Sequence, residues 1–498
     1  MPAMQHQAHS LALTLLLAGT ATATPPISDP TICDNAHHTA AADALVCYHD
    51  AVERQPLDYT ATGSEHIAGV TQKRYQLNAQ SWSPEHLVTP LQWQHNVVLH
   101  VPDDVLPQQA LVIASNGTRY AGNGGMAARP PDDLSEILGE IARRTHITIV
   151  EVSDIPNQYL TYADDGHARR EDESVAHGWS LFMQSPDTRQ TLPLHVPMAI
   201  AITRAMDLAQ RELPQLSLKH FAVTGSSKRG WAAWLTAIAD DRVNAIIPSV
   251  TDILNTRQVL NHIYRTYGNH WPIGLAPYYA AGITDRLNTP QFNQLMRIED
   301  PLSYLKTRYF RRLALTKYIL SASGDDLFPP DSSHYYYDRL PGTKALRIVP
   351  NSPHNIPPAA ISEGLTSFLG RLQQDRPLPM LSEHLKQHGA EATLYLKSNE
   401  QPIRWTLWTA QNTQARDFRY ACGIRYASTS LPEQGKSVRV ALPIPAQGWN
   451  SSFVEATYAD GFIATSKAYV LGQNKYPDTA PPSTSPACST LPGHPKAP

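Results

Sequence analysis

The chain has 498 residues, of which 42% are hydrophobic, and its formal net charge is −3. A chain of this length has room for two or three domains with sizeable cores. The nearly balanced charge, without a basic patch interleaved with aromatic residues, argues against nucleic acid as a partner, and 41 prolines are more typical of a loop-rich secreted enzyme than of a helical bundle.

The N-terminus has the pattern of a secretory signal peptide. Residues 11–18 form an apolar core that is too short to cross a bilayer as a helix, and residues 21–23 form a small-x-small cleavage site. Because residues 1–10 contain no lysine or arginine, a disordered or membrane-tethered N-terminus stays open as the alternative. We predict a signal peptide at 1–23, a secreted or periplasmic protein, and no stable membrane insertion.

The chain contains four cysteines, an even and sparse number that predicts disulfides in an oxidising compartment. The pairs Cys33–Cys47 and Cys422–Cys488 are preferred because each pair lies within one end of the chain, although the sequence leaves the connectivity open. None of the spacings resembles a zinc site, and we expect no metal or cofactor.

A leader and then antiparallel strands are predicted in the first part of the mature chain. Residues 24–60 form a leader without strong periodicity. Roughly alternating apolar and polar residues then predict antiparallel strands, at 67–77, 82–88 and 96–101.

From Ala110 onwards, short apolar runs alternate with helical stretches such as 133–144 and 198–213. This alternation predicts a mostly parallel sheet covered on both faces, and we assign it to a domain at 61–372. The runs lie at 110–114, 147–152, 221–223, 245–247, 317–320 and 345–349. The strand rhythm is lost at about 252–312, which we interpret as an inserted cap near the site, the alternative being a surface excursion without a role in binding.

Residues 373–379 are predicted to be a domain boundary. Beyond them come several short strands without intervening helices, which predict a small β-sandwich at 380–472. Its strands are expected at 392–397, 404–409, 437–442, 452–458 and 462–470. Residues 473–498 are rich in proline, serine and threonine and are expected to be an extended tail.

The segment 221–231 reads as a strand end, a small-residue turn and a helix, which is the pattern of a nucleophile elbow. Close packing at such a turn requires small residues two positions before and after the nucleophile. Ser227, with Gly225 before it, fits better than Ser226. A glycine is also expected two positions after the nucleophile, but that position is Arg229, and the glycine follows at Gly230.

A serine nucleophile needs a base, and the α/β-hydrolase order is serine, acid, histidine. An acid follows the run at 317–320 and a histidine follows the run at 345–349, so both are expected at the carboxyl edge of the sheet. We assign His354 as the general base and Asp325 as the acid that orients it. Asp326 and Asp331 are rivals, and Asp331 is expected instead to cap a helix beginning near Ser332.

The oxyanion hole needs backbone N–H donors. We expect one from Lys228, the residue after the nucleophile, and another from the loop containing Gly117 and Thr118. The Lys228 ammonium could assist the oxyanion or bind an acidic substrate group, and the alternative is a solvated surface lysine.

With these residues in place, the chain resembles the PhoPQ-activated pathogenicity-related family of α/β-hydrolase-like proteins over roughly 40–472. The resemblance is carried by matching segments at 152–158, 170–172, 197–207, 224–231, 324–332, 349–354 and 415–419. One departure is the loop at 116–118, which reads Asn-Gly-Thr where the family suggests a glycine pair. The elbow is also similar to that of glucuronoyl esterases, in which the cation after the serine assists the oxyanion.

The expected architecture is therefore an α/β-hydrolase fold with an inserted cap, followed by a β-sandwich domain. The expected function is that of a serine hydrolase cleaving an ester or a short peptide through an acyl-enzyme, with a small molecule or peptide as partner. A fold does not guarantee an activity, so a non-catalytic secreted virulence or signalling factor is the alternative.

Overall fold

The computed structural model describes residues 30–117, 133–389, 391–432, 435–472 and 474–493. The predicted signal peptide lies outside them. Among the described residues, the helices are α1 (Ala44–Glu53), α2 (Asp133–Thr145), α3 (Glu171–Gln184), α4 (His195–Glu212), α5 (Lys228–Ala239), α6 (Thr256–Thr266), α7 (Ala276–Ala280), α8 (Pro290–Glu299) and α9 (Pro358–Gln373). The two helices predicted at 133–144 and 198–213 are confirmed within a few residues.

The strands fall into a first group up to the end of the parallel sheet and a second group beyond it. The first group is β1 (Asp58–Ile67), β2 (Val70–Ser81), β3 (Val88–Thr89), β4 (Gln92–Pro102), β5 (Gln109–Ala114), β6 (Thr148–Val152), β7 (Leu160–Tyr162), β8 (Ala168–Arg169), β9 (His220–Ser226), β10 (Val243–Ser249), β11 (His270–Pro272), β12 (Thr316–Ala322) and β13 (Lys344–Val349). The second group is β14 (Leu381–His388), β15 (Glu391–Ser398), β16 (Arg404–Asn412), β17 (Ala427–Ser430), β18 (Ser437–Leu442), β19 (Trp449–Thr457), β20 (Ile463–Thr465), β21 (Tyr469–Gly472) and β22 (Thr490–Pro492).

A nine-stranded sheet organises the molecule, in the order β1-β2-β4-β6-β5-β9-β10-β12-β13. The first four strands in this order pair antiparallel, and the pairs from β6 through β13 are parallel. The parallel strands are joined by crossover segments, as parallel pairing requires, and most of these segments contain an α-helix. The predicted α/β-hydrolase fold is confirmed.

Helices cover both faces of this sheet because successive side chains of a buried strand point to opposite sides. In β5, Leu111 and Ile113 pack into one core, together with residues of α2 and α9. Val112 packs into the other core, together with residues of α1, α3, α4 and α5. The parallel strands are therefore almost continuously apolar, and their carboxyl ends meet at one edge.

One sequence prediction in the N-terminal part is wrong. Residues 82–88 do not form the predicted strand. Pro84 lacks a backbone N–H, and the next two residues have φ of 50° and 59°. This segment instead contains a 3₁₀ turn at Pro84–His86 and the start of the two-residue strand β3. The leader, for which the sequence shows no strong periodicity, contains α1. The Asp34 carboxylate fastens this segment to the core by accepting a 2.8 Å hydrogen bond from the backbone N–H of Thr191.

Two further sheets lie in the C-terminal region, β14-β15-β18 and β17-β16-β19-β20, with β21 also pairing to β19. Apolar residues of both sheets, such as Leu394 and Val454, share one core with α2 and α9. Strand β20 covers the open edge of the main sheet, where the backbone N–H of Ile348 donates to Thr465 Oγ1 at 3.1 Å. Covering this edge removes a row of unpaired backbone groups.

The described part of the proline-rich tail, 474–493, is packed rather than simply extended. Strand β22 pairs antiparallel with β11 of the inserted segment. The carbonyl oxygen of Thr479 lies where a Cβ on Gly268 would be, only 2.0 Å away, so no side chain fits at that position. Among the described residues, no helix is both long and apolar enough to span a membrane.

Disulfides join Cys33 to Cys47 and Cys422 to Cys488. They are separated by 14 and 66 residues, respectively. The longer loop loses more chain entropy when it is closed in the unfolded state.

We expect replacement of both Cys422 and Cys488 by alanine to lower the free energy of unfolding by about 4 kcal/mol. The corresponding double replacement of Cys33 and Cys47 should cost about 3 kcal/mol. Urea unfolding of the two double variants under one condition tests this order. A smaller loss for the Cys422/Cys488 variant would contradict it.

Candidate active site

Ser227 lies between the last residue of β9 and the first residue of α5, with φ 58° and ψ −125°. This conformation is favourable only for glycine, so a serine here is strained. A Cβ on Gly225 would lie 2.7 Å from the backbone of Arg229, and one on Gly230 would lie 2.2 Å from Thr251 Oγ1. Both glycines are thus required by the close approach of strand and helix.

The structure explains why the elbow glycine, Gly230, lies three rather than two positions after Ser227. The backbone of Arg229 packs against Gly225, while its side chain turns away and donates from Nε to the carbonyl of Ile155 at 2.6 Å. Its Nη2 donates to Glu171 Oε1 at 2.6 Å. An arginine is therefore tolerated two positions after Ser227, and Gly230 takes the close contact with the neighbouring strand.

Asp325 and His354 meet in the loops that follow β12 and β13. His354 Nδ1 lies 3.0 and 2.9 Å from the two carboxylate oxygens of Asp325. Asp325 Oδ1 also accepts from the backbone N–H groups of Leu327 and Phe328, at 2.8 and 3.1 Å. The carboxylate is only 1% exposed, so these donors fix its orientation.

The two rival carboxylates have other surroundings. Asp331 does not cap the 3₁₀ helix that follows it; it instead pairs with Arg416 at 2.6 Å and bonds to His262 Nε2 at 2.9 Å, so the capping prediction is wrong. The Asp331 carboxylate binds the Arg416 guanidinium, which is distant in sequence, rather than the backbone N–H groups of the following turn. Burial, and then the charge of Asp325, raise the pKa of Asp326.

The pKa of His354 is raised above its ordinary value. Burial by itself would lower it, but the charge of Asp325 and the hydrogen bond to Asp325 outweigh this effect. Asp172 raises the pKa further, and Lys228 opposes the rise. The imidazolium form is therefore stabilised, as a base that accepts a proton during a reaction requires.

Ser227 and His354 line the same open cleft. Among the described residues, no hydrogen bond joins the Ser227 hydroxyl to the His354 ring. Such bonds are often long in the absence of substrate and shorten when it binds.

The proposed oxyanion donors are only partly described. The backbone N–H of Lys228 lies in the first turn of α5, where such groups lack intrahelical acceptors. Gly117 follows β5, whose last residue Ala114 pairs with Gly225 at the elbow. A Cβ on Gly117 would lie 2.4 Å from Asp154 Oδ1, so any larger residue would require the buried Asp154 side chain to shift. Thr118 lies outside the described residues.

Lys228 is buried and ion-paired, not a solvated surface residue. Its Nζ lies 2.7 Å from Glu171 Oε2 and 2.9 Å from Asp172 Oδ2. Glu171 also pairs with Arg229. Burial would raise the pKa of Glu171, but the charges of Arg229 and Lys228 hold it at about 2. Two cations and two carboxylates thus form a balanced cluster beside Ser227, defined here as the elbow clamp.

We expect Glu171→Gln to lower the free energy of unfolding at pH 7 by about 3 kcal/mol, because the pKa of the folded carboxyl lies well below its ordinary value. A depressed pKa stabilises the fold above pH 4.5, the ordinary value, and this stabilisation is lost as the pH falls towards 2. Urea unfolding at several pH values tests this. The exposed Glu173→Gln on the same helix is the control, and a pH-independent loss would contradict the prediction.

Several neighbours of the site were missed from the sequence. Asp252, after β10, accepts from Tyr336 Oη, and burial raises its pKa to about 6, with the hydrogen bond from Tyr336 acting in the opposite direction. From the C-terminal region, Tyr420 N–H donates to the Gly324 carbonyl at 2.9 Å, and Tyr426 N–H donates to Asn351 Oδ1 at 2.7 Å. These contacts support the loops of Asp325 and His354. The match at 415–419 was the one signal that the C-terminal region mattered.

Three groups of potential metal ligands occur among the described residues, and none of them lines the cleft. Two of the donors in one group are cysteines already joined in a disulfide. The groups are Asp417, Cys422 and Cys488; His49, Asp50 and Glu53; and Asp164, Asp165 and His177.

Comparisons with known proteins agree with the resemblance drawn from the motifs. The model of the PhoPQ-activated pathogenicity-related protein family matches residues 45–419. The autocrine proliferation repressor protein A of Dictyostelium discoideum is 29% identical over 407 residues, which are 77% of this chain and 79% of the relative.

Two solved structures were also matched at low identity. Acetyl xylan esterase 1 from Thermoanaerobacterium sp. JW/SL YS485 is 13% identical with a TM-score of 0.43, covering 66% of this chain and 94% of the esterase. The glucuronoyl esterase from Solibacter usitatus is 12% identical with a TM-score of 0.39, covering 64% and 87%.

Proposed function

We propose that this chain, which belongs to the PhoPQ-activated pathogenicity-related protein family, is a serine hydrolase that acts through an acyl-enzyme on Ser227. The observation that carries the proposal is the contact of both Asp325 oxygens with His354 Nδ1, in a cleft that Ser227 also lines. The strained backbone of Ser227 supports it, because strain of this kind is typical of functional positions.

The proposed mechanism begins when His354 Nε2 accepts the hydroxyl proton of Ser227 and the serine oxygen attacks the substrate carbonyl carbon. Asp325 holds the imidazole in the correct tautomer and stabilises the imidazolium. The backbone N–H groups of Lys228 and of the loop at Gly117 and Thr118 stabilise the oxyanion. His354 then protonates the leaving group, and a water molecule hydrolyses the acyl-enzyme by the same route.

The substrate of this hydrolase is an ester or a short peptide. The protein is proposed to be secreted or periplasmic. The two disulfides support an oxidising compartment. The second candidate function is a non-catalytic secreted virulence or signalling factor that binds a partner. The name of the Dictyostelium relative, a proliferation repressor, favours it.

Labelling of the folded full chain with a fluorophosphonate probe separates these two functions. We expect labelling of the wild type and of Ser226→Ala, but not of Ser227→Ala. Labelling that survives in Ser227→Ala would reject Ser227 as the nucleophile. Absence of labelling in correctly folded wild type would favour the binding function.

A further inference from the structure

Ser227 lines two adjoining cavities. One is the open cleft, with an empty volume of about 1940 Å³ including its mouth. The other, called the enclosed cavity because it is somewhat less open to solvent, has an empty volume of about 590 Å³ including its opening, and it lies beneath the inserted segment. Its walls are mainly apolar, and they include Trp179, Trp231, Leu260, Leu275, Ile283 and Leu287.

The few charged groups at the enclosed cavity are already neutralised. Lys228 and Asp172 line it, but Lys228 Nζ is paired with Asp172 and Glu171. The second carboxylate oxygen of Asp172 accepts from Tyr278 Oη at 3.0 Å. Because the elbow clamp has no net charge, a charged group entering this cavity would be buried without a partner, which is costly.

The position of His354 decides which part of a substrate enters which cavity. His354 lines the open cleft and is absent from the walls of the enclosed cavity. Since this histidine must protonate the leaving group, the leaving group has to lie on the cleft side. The acyl part of the substrate then lies on the opposite side of Ser227, where the enclosed cavity begins.

The cleft offers a polar leaving group hydrogen-bonding partners that the enclosed cavity lacks. Arg170, Asn116 and Asn355 lie along it together with Glu171, beside apolar residues of α2 and α9. Polar groups there keep hydrogen bonds that the enclosed cavity cannot supply.

We propose that the enclosed cavity is the acyl site for an uncharged, apolar acyl chain and that the open cleft holds the alcohol portion of an ester, an assignment that rests on the function proposed above. The substrate class is therefore an ester of an aliphatic acid with a polar alcohol.

p-Nitrophenyl acetate, butanoate and hemisuccinate test the assignment, because the hemisuccinate matches butanoate in length but ends in a carboxylate. Each buried methylene should raise kcat/KM about fourfold, so butanoate should exceed acetate about 16-fold. The hemisuccinate should be at least about tenfold poorer than butanoate.

Leu260→Phe narrows the enclosed cavity, and we expect it to reduce the butanoate-to-acetate ratio about tenfold. Leu134→Phe makes the same change on the cleft side and should leave the ratio unchanged. Circular dichroism and thermal unfolding check that both variants are folded.

Two kinds of failure are distinguishable. Ser227-dependent hydrolysis without a preference for butanoate, or equal ratios in the two leucine variants, would overturn the acyl-site assignment and leave the hydrolase intact. Probe labelling of Ser227 without hydrolysis of any of the uncharged esters would also overturn the assignment alone. Loss of both labelling and hydrolysis in folded wild type would remove the proposed function and this assignment with it.

Discussion

Replacement of Ser227 by alanine is expected to lower kcat for ester hydrolysis by about 10⁴-fold or more, because the alcohol that forms the acyl-enzyme is removed. Ser226 is the matched control, since it is adjacent, exposed and the only other serine in the elbow turn. Ser226→Ala should keep kcat within about threefold of the wild type. Initial rates with a p-nitrophenyl ester measure both.

The same position offers a test that does not depend on activity. At position 227, alanine remains strained by the positive φ of 58°, whereas glycine adopts this φ without strain. We expect the glycine variant to have a free energy of unfolding about 1 kcal/mol higher than that of the alanine variant. Equal stability of the two variants would mean that the turn stores no strain at Ser227.

The second large effect is expected for Asp325→Asn, which should lower the maximal kcat/KM about 10⁴-fold, because the amide can no longer hold the productive tautomer of His354. Asp326→Asn, at the adjacent half-buried carboxyl, is the control. It should change the rate far less, because both contacts to His354 Nδ1 come from Asp325.

The pH dependence of kcat/KM tests whether Asp325 raises the pKa of His354. A general base acts when it is neutral, so the rate rises with pH through the pKa of His354, which lies above its ordinary value. Asp325→Asn removes the charge that raises this pKa, so the acidic limb of kcat/KM should move to lower pH. A limb that stays in place, or moves to higher pH, would contradict the assigned role of Asp325.

The fold could be predicted because its signals are local and periodic. The strands around Val112 and Val223 have apolar residues on both faces, as strands between two helical layers must. The predicted helices at 133–144 and 198–213 lie within a few residues of the observed ones. The prediction failed at 82–88, where the alternation was present but Pro84 and two positive φ values turned the backbone away. In the leader, where no strong periodicity indicated a helix, a disulfide and a hydrogen bond to a distant residue hold the segment that contains α1.

The candidate residues at the site were named from the sequence, but their neighbours were not. Asp331 looked like a cap because a serine-rich turn follows it, yet Arg416, 85 residues further on, takes its carboxylate. Tyr420 and Tyr426 support the loops of the acid and the base from a region that reads only as short strands.

The sequence by itself determined the sheet, the elbow turn and the order of serine, acid and histidine. Periodicity and turn chemistry act over a few residues, and chain order is explicit in the sequence. Only the tertiary structure decided that Lys228 is neutralised by Glu171 and Asp172, and that Ser227 lines both a mainly apolar cavity and a more polar, open cleft. Both depend on how closely side chains from distant segments approach, and burial and charge pairing are properties of that approach rather than of any short stretch of residues.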